Sequence, residues 1–286
     1  MQRISQRDIV SAVRTALAED IGNGDVTTLS TVPQGATAVA VMRAREPFVV
    51  SGLEFAEEAF HQCSRGMRPM KSVRRVKDGS RVAGGEELLR VAGPAGAILS
   101  AERVALNFVQ RLSGVATLTA RYVRAVRGTD ARILDTRKTT PGWRFFEKYA
   151  VACGGGRNHR FGLYDMVLIK DNHLVALRDA KPNAIAAAVS RARSRFPKLK
   201  IEVEADTLDQ VRQAVAAGAD IVLLDNMTPA RLRKAVALVA GRAKTEASGG
   251  VNLKTVRAIA RTGVDFISVG AITHSARAVD IGLDFK

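Results

Sequence analysis

From residue 131 onward the chain alternates short apolar runs with helical patterns, and this alternation limits the fold more than any other feature. The runs fall at residues 131–135, 166–170, 200–204, 220–225, 243–248 and 265–270. Each has strand length and is rich in aliphatic or β-branched residues. The helices between them have legible ends. Thr207-Leu-Asp-Gln210 reads as a capping box, and Thr228-Pro229 sets a cap before a first-turn proline. Asn252 caps the next helix, and Gly263 ends it. Strands separated by single helices form a parallel sheet, open or closed. Every run here ends in polar residues or glycine: Asp135 to Lys138, Lys170 to Asn172, Glu204, Asp225-Asn226, Ser248 and Gly270. A (β/α) barrel gathers such ends around one mouth, whereas an open sheet spreads them along an edge. The expectation is an α/β chain with a (β/α) barrel of six clear strands and room for a hidden seventh.

The first part of the chain reads differently. A capped helix near residues 6–18 leads into the glycine-rich turn Asp20-Ile-Gly-Asn-Gly-Asp25. A strand over 36–50 and a helix over 52–63 follow, then short strands near 68–76 and 87–92 and a helix opening at Ser100. Glycines and Pro94 punctuate this strand-rich stretch, which reads as a separate α+β domain. The expected boundaries are 1–113 for that domain and 114–272 for the barrel, with the tail 273–286 returning to the first domain.

Net charge is +16, which suits nucleic acid, an acidic membrane surface or small polyanionic substrates. Aromatics are only 5% and do not interleave with the cations, so a base-stacking platform is not expected. No apolar run approaches the ~20 residues needed to span a bilayer, and Met1 to Arg7 carries no apolar segment of a secretory signal. With only Cys63 and Cys153, neither a disulfide framework nor a cysteine metal site is expected. A cytoplasmic protein is the expectation.

The chemistry sits at the strand ends. Thr136-Arg137-Lys138 closes one run before a Pro141-Gly142 turn, Gly154-Gly155-Gly156 leads to Asn158-His159-Arg160, and Lys170 ends the next run. Three neighbouring cationic clusters repel one another unless an anion is bound, and arginine suits bidentate grip of carboxylate or phosphate. Across from them stand acids. Glu202 and Glu246 are expected to pair with Lys170, Lys138 or Lys244. Glu204 and Asp225, nearest the mouth, suit Mg²⁺, which takes few carboxylates and completes its shell with phosphate oxygens and water. Ser248-Gly249-Gly250 and Val269-Gly270-Ala271 offer backbone N–H groups for a phosphate. Together these describe an anion pocket with a phosphate grip, but no particular reaction.

Several motifs carry a resemblance. They are Glu19-Asp-Ile-Gly-Asn-Gly-Asp-Val-Thr-Thr28, Ala101-Glu-Arg-Val-Ala-Leu-Asn107, Leu134-Asp-Thr-Arg-Lys-Thr-Thr-Pro-Gly142, Glu147-Lys-Tyr-Ala150, Asn158-His-Arg160, Lys170-Asp-Asn-His173, Leu223-Leu-Asp-Asn226 and Glu246-Ala-Ser-Gly-Gly250. Nearly the whole length resembles the quinolinate phosphoribosyltransferases. The resemblance implies transfer of phosphoribosyl from its pyrophosphate (PRPP) to quinolinate, giving nicotinate mononucleotide, pyrophosphate and CO₂ with Mg²⁺ in NAD biosynthesis. It implies an incomplete (β/α) barrel beside an α/β sandwich, and a homodimer whose partner completes each site. By matching motif, Arg103, Thr136, Arg137, Lys138, His159, Arg160 and Lys170 would bind quinolinate, with Arg103 supplied by the neighbouring subunit. Glu204 and Asp225 would hold the ribose and metal side, and the 248–250 and 269–271 loops the 5′-phosphate. Lys138 or Lys170 would donate a proton to the ring carbon. Trp143-Arg-Phe-Phe146 departs from the smaller aliphatics expected after Pro-Gly. The rivals are a molybdenum-locus protein of similar fold and a basic nucleic-acid-binding protein; intact Asn158-His-Arg160 and Lys170-Asp-Asn-His173 favour quinolinate over the first.

Overall fold

The computed structural model describes residues 4–286; residues 1–3, part of the segment read above for a secretory signal, lie outside the described residues. The chain forms two compact units, one holding the residues up to Ala120 with Phe145–Gly155 and Ser275–Lys286, the other Arg121–Arg144 and Gly156–His274. Phe145–Gly155 thus goes with the first unit, although the expected barrel range 114–272 contains it. Among the described residues, no helix is long and apolar enough to cross a membrane.

In the first unit, Ser5 caps α1 (Gln6–Ile21) by accepting from the Asp8 N–H at 3.1 Å. Ile9, Val13 and Leu17, one helical face, are buried. The glycine-rich turn is followed by a short helix that sequence reading missed, α2 (Val26–Thr31), capped by Asp25. The strand expected over 36–50 is two strands, β1 (Thr37–Ala44) and β2 (Phe48–Val49). Pro47 between them has no N–H to give a ladder. Next come α3 (Leu53–Cys63), β3 (Lys71–Arg74), β4 (Arg81–Val82), which pairs with β2, and β5 (Glu87–Pro94), antiparallel to β1 and β3. The long helix α4 (Ala95–Ala125) starts five residues before the Ser100 expected to open it. Its buried face already runs through Ala97 and Ile98, and the Ser100 hydroxyl donates to Asp25 at 2.9 Å instead of capping.

All six expected strands of the second unit form, in the order β6-β11-β10-β9-β8-β7, every pair parallel. They are β6 (Arg132–Leu134), β7 (Val167–Ile169), β8 (Ile201–Ala205), β9 (Ile221–Asp225), β10 (Lys244–Ser248) and β11 (Phe266–Ser268). Between β6 and β7 runs α5 (Arg144–Cys153); α6 (Asp171–Val175) and α7 (Ala184–Arg195) separate β7 from β8. Each later strand is followed by one helix: α8 (Leu208–Ala216), α9 (Pro229–Val239), α10 (Val256–Ala260) and α11 (Ala271–His274). The last strand of the barrel pairs with the first, so the sheet curls round and stays open only between β6 and β7. The hidden seventh strand is a single bridged residue, Arg157, lying parallel to Leu134 on the free edge of β6. The capping box at Thr207 and the cap at Thr228 form as read. Asn252 caps a turn, accepting from the N–H groups of Lys254 and Thr255, and α10 itself begins only at Val256. The tail returns as β12 (Ile281–Phe285), antiparallel to β1 in the first unit.

Strand register decides which side chains share the barrel lumen, because registered partners in a parallel sheet face the same way and neighbours along a strand alternate. Val203, Val222 and Thr245 register with one another on the helix-facing side. Glu202, Glu204, Leu223, Glu246 and Phe266 register on the other, with Asp225, Ser248, Ser268 and Leu134 one layer nearer the mouth. The acids therefore point inward by topology, with Glu202 lowest, Glu204 and Glu246 level with Leu223 above it, and Asp225 nearest the mouth.

Candidate functional site

The cations meet on the open side of this barrel. β6 stops at Leu134, and the chain beyond it leaves strand geometry at Asp135. That carboxylate is wholly buried, accepting from the Asn158 side-chain amide at 2.7 Å and from the His159 N–H at 2.9 Å. Asp135 thereby fastens the Asn158-His-Arg160 segment to the end of β6. The following residues fold back on themselves, with the Lys138 N–H on the Thr136 hydroxyl at 3.0 Å and the Thr139 N–H on the Arg137 carbonyl at 3.0 Å. Such a turn lets Arg137 and Lys138 approach one region despite opposite facing in a strand. The Arg137 Nε is buried without a hydrogen-bond partner. Burial first, and then the nearby Arg137 charge, lower the pKa of Arg160. Two guanidinium groups close together, partly desolvated and one with a donor to spare, form a site for an anion.

His159 differs from expectation. Its Nδ1 accepts from the Arg160 N–H at 2.8 Å, so the ring proton resides on Nε2. That nitrogen lies 3.1 Å from a Glu202 oxygen and 3.5 Å from a Glu246 oxygen. The imidazole thus faces the buried acids and braces the pocket wall. The same three residues gather potential metal-ligand atoms within 4.8 Å of one another, but a proton on Nε2 leaves no lone pair there for a cation. Neither acid pairs with Lys170, Lys138 or Lys244 as expected. Lys244 opens its strand, away from the mouth, and pairs with Asp265 at 2.6 Å; Lys170 pairs with Glu204. Desolvation, then the Glu202 charge, pushes the Glu246 carboxyl well above the ordinary carboxylate range, partly offset by His159 and Ser268.

At the carboxyl ends of β7 and β8, Lys170 Nζ binds Glu204, and Asp225 ends the neighbouring β9, accepting from the Asn226 amide at 2.6 Å. Two carboxylates at adjacent strand ends, one half-buried beside a lysine, fit a Mg²⁺ ion that draws its other ligands from phosphate and water. Gly249 and Gly250 both have left-handed φ, +88° and +60°. A Cβ on Gly249 would overlap the Asn226 side-chain oxygen, so this loop passes at a closeness only glycine allows. Gly270 lies against His274 Nε2 and the Lys138 stem, and the Thr273 hydroxyl donates to the Lys138 carbonyl at 2.8 Å. His274 thus stands at the mouth, although sequence reading missed it; its place four residues beyond Gly270, on α11, was the available signal. Val269 is a correction. Its side chain is buried, and its N–H donates to the Leu134 carbonyl at 2.9 Å, which leaves Gly270 and Ala271 as the loop's candidate donors. Arg103 is exposed on α4 in the first unit.

Comparison with known proteins bears on what such a site handles. The chain matches the family models for the quinolinate phosphoribosyl transferase C-terminal domain over residues 115–284 and N-terminal domain over residues 25–113. It is 44% identical over 280 residues to the nicotinate-nucleotide pyrophosphorylase [carboxylating] of Mycobacterium leprae, covering 95% of each chain. It is 43% identical over 267 residues to a probable enzyme of the same name from Bacillus subtilis, covering 93% of this chain and 89% of that one. Its fold is similar to that of the nicotinate-nucleotide pyrophosphorylase from Francisella tularensis, with a TM-score of 0.92 and 39% identity over 99% of this chain and 98% of that one. Both halves of the chain, and not the barrel alone, thus follow one known pattern, and the chain belongs to the quinolinate phosphoribosyl transferase family.

Proposed function

We propose that this chain transfers phosphoribosyl from PRPP to quinolinate with loss of CO₂, giving nicotinate mononucleotide and pyrophosphate. The observation that carries this reading is that Arg137 and Arg160 lie near enough to feel each other's charge, while Glu204 and Asp225 stand at the carboxyl ends of β8 and β9 in the same barrel. A dicarboxylate needs two cationic grips, and a phosphoribosyl donor needs acids for its ribose and metal side. In this reading Thr136, Arg137 and Arg160 hold the two carboxylates of quinolinate, His159 braces Arg160, and Lys138 and Lys170 stand beside the ring. The Ser248-Gly249-Gly250 loop, Gly270 and Ala271 take the 5′-phosphate. Glu204 and Asp225 hold Mg²⁺, which when bound supplies charge neutralisation to the leaving pyrophosphate.

The chemistry follows from charge. As the bond from the anomeric carbon to pyrophosphate breaks, that carbon gains cationic character, which the carboxylates of Glu204 and Asp225 stabilise. The pyridine nitrogen donates its pair to the same carbon, and the ring becomes cationic. The carboxylate next to that nitrogen then leaves as CO₂, its bonding pair remains on the ring carbon, and a proton replaces it there. Lys138 is the better proton donor, because the Lys170 ammonium is already held by Glu204. Arg137 and Arg160 contribute mainly by orientation.

The assembly in this reading is a homodimer in which Arg103 reaches the pocket of the neighbouring subunit. Two supports are its exposed position on α4 and the match of Ala101-Glu-Arg-Val-Ala-Leu-Asn107 to the family pattern. In this reading the reaction runs in the cytoplasm, a compartment where free cysteines such as Cys63 and Cys153 are the ordinary state. The test is to mix purified protein with quinolinate, PRPP and Mg²⁺ and measure nicotinate mononucleotide and CO₂. Equimolar formation of both supports the reading; absence of both with folded protein overturns it.

A further inference from the structure

We infer that Arg144 is a positioning residue that sets the spacing between the two guanidinium-bearing segments of the pocket. Its side chain reaches three partners on two different segments. Nε donates to the Thr139 hydroxyl at 3.2 Å and Nη2 to the backbone carbonyl of Arg137 itself at 3.5 Å. Nη1 donates to the carbonyl of Phe161, the residue after Arg160, at 3.0 Å. One rigid planar fork therefore spans from the Arg137 turn to the end of the His159-Arg160 stretch. Asp135 holds the base of these segments, and Arg144 holds them farther out.

Two features show that the segments need such a tie. The barrel is open here, and among the described residues the only backbone bridge across this edge is that of Arg157 with Leu134. The groups to be positioned, Arg137 and Arg160, also repel each other, so without a brace they drift apart until an anion arrives. Local helix stability does not account for the residue. Arg144 is the first residue of α5, where the helix dipole disfavours a cation. A lysine could not replace it, because a single ammonium cannot hold three acceptors in one plane. The departure noted in sequence, Trp143-Arg-Phe-Phe146, thus contains a residue that acts on the pocket through the backbone of its neighbours.

This inference rests on Arg137 and Arg160 being the quinolinate grip. It is tested with the full-length Mg²⁺-supplied enzyme as wild type, Arg144→Ala and Arg144→Lys, varying each substrate in turn. Arg144→Ala should lose about 10²-fold in kcat/KM for quinolinate, the scale of an ångström-level misplacement. The KM for PRPP should stay at the wild-type value. Arg144→Lys should lose nearly as much, and added guanidinium ion should restore part of the quinolinate kcat/KM in Arg144→Ala while leaving wild type unchanged. If Arg144→Ala does not accumulate folded, Arg144→Lys carries the test through the same split between the two KM values. Wild-type kinetics in the lysine variant, equal rises in both KM values, or no rescue by guanidinium would overturn the role of Arg144. An inactive wild-type enzyme would instead overturn the assigned reaction.

Discussion

His159 Nε2 lies 3.1 Å from a carboxylate oxygen of Glu202 at the floor of the barrel, so the histidine in the cationic wall serves the protein's own buried acids. Glu246 approaches the same nitrogen at 3.5 Å, and both acids are essentially inaccessible to solvent. Three ionisable groups share one dry volume, and a single extra proton decides its charge.

A pH dependence follows from Glu246. Desolvation and the Glu202 charge raise its carboxyl from 4.5 to about 8, with Asp135 adding to the rise and His159 and Ser268 opposing it. A raised pKa means that the fold prefers the protonated form, so this contribution is complete below the ordinary carboxylate value. It is lost as pH climbs through the raised one, at a limiting slope of about 1.4 kcal/mol per pH unit for one proton. Glu246→Gln, which mimics the protonated acid, should flatten that decline. Thermal melts from acid to mildly alkaline pH will check this; parallel curves for both proteins would exclude the assignment.

Removing either guanidinium should separate the two substrates kinetically. Arg137→Ala and Arg160→Ala are each expected to lower kcat/KM for quinolinate by roughly 10²-fold or more, with PRPP binding retained. Arg137→Lys should rescue little, since one ammonium does not reproduce a bidentate fork. Steady-state kinetics with each substrate varied in turn, beside quinolinate titrations by calorimetry, gives the answer.

The glycine loop makes a steric prediction. Gly249→Ala places a methyl group on the Asn226 side-chain oxygen at a φ of +88°. The expected loss of stability is about 1–3 kcal/mol, together with a higher KM for PRPP. Gly250→Ala meets no neighbour within 4 Å and should suffer only the conformational penalty, which makes it the control. Denaturant titrations of the two variants distinguish clash from strain.

Chelation should stop turnover, and Mg²⁺ should restore it. Glu204→Gln and Asp225→Asn should each raise the Mg²⁺ concentration needed for half-maximal rate, because each removes a candidate oxygen ligand. Quinolinate binding without PRPP should change little in Asp225→Asn. In Glu204→Gln it should shift, since Lys170 loses its partner. Rates across a Mg²⁺ series would show whether the two acids act on the ion.

The barrel was legible because strand and helix periods alternate cleanly and some helices carry readable caps, as at Thr207 and Thr228. The strand ends could be located because every apolar run of the second unit closes on polar residues or glycine. Three things were not legible. Glu202 and Glu246 were matched with lysines because charge pairing in sequence carries no burial; in the fold both acids are buried against His159, while Lys170 and Lys244 are taken by Glu204 and Asp265. Val269 read as a donor because backbone engagement depends on a neighbouring strand, here Leu134. Ser100 read as the opening of a helix because the glycines and proline before it hide that the helix begins at Ala95.

The open edge between β6 and β7 has an evolutionary meaning. Along β8, β9 and β10, each residue's facing is locked to two neighbours, so an insertion of one residue would turn a whole strand inside out. Residues 161–166 are under no such lock, because among the described residues the bridge to β6 on this edge lies before them, at Arg157. This is the stretch of wall where length and sequence can drift while every strand keeps its register. A relative adapted to a different acid would be expected to carry its changes there first.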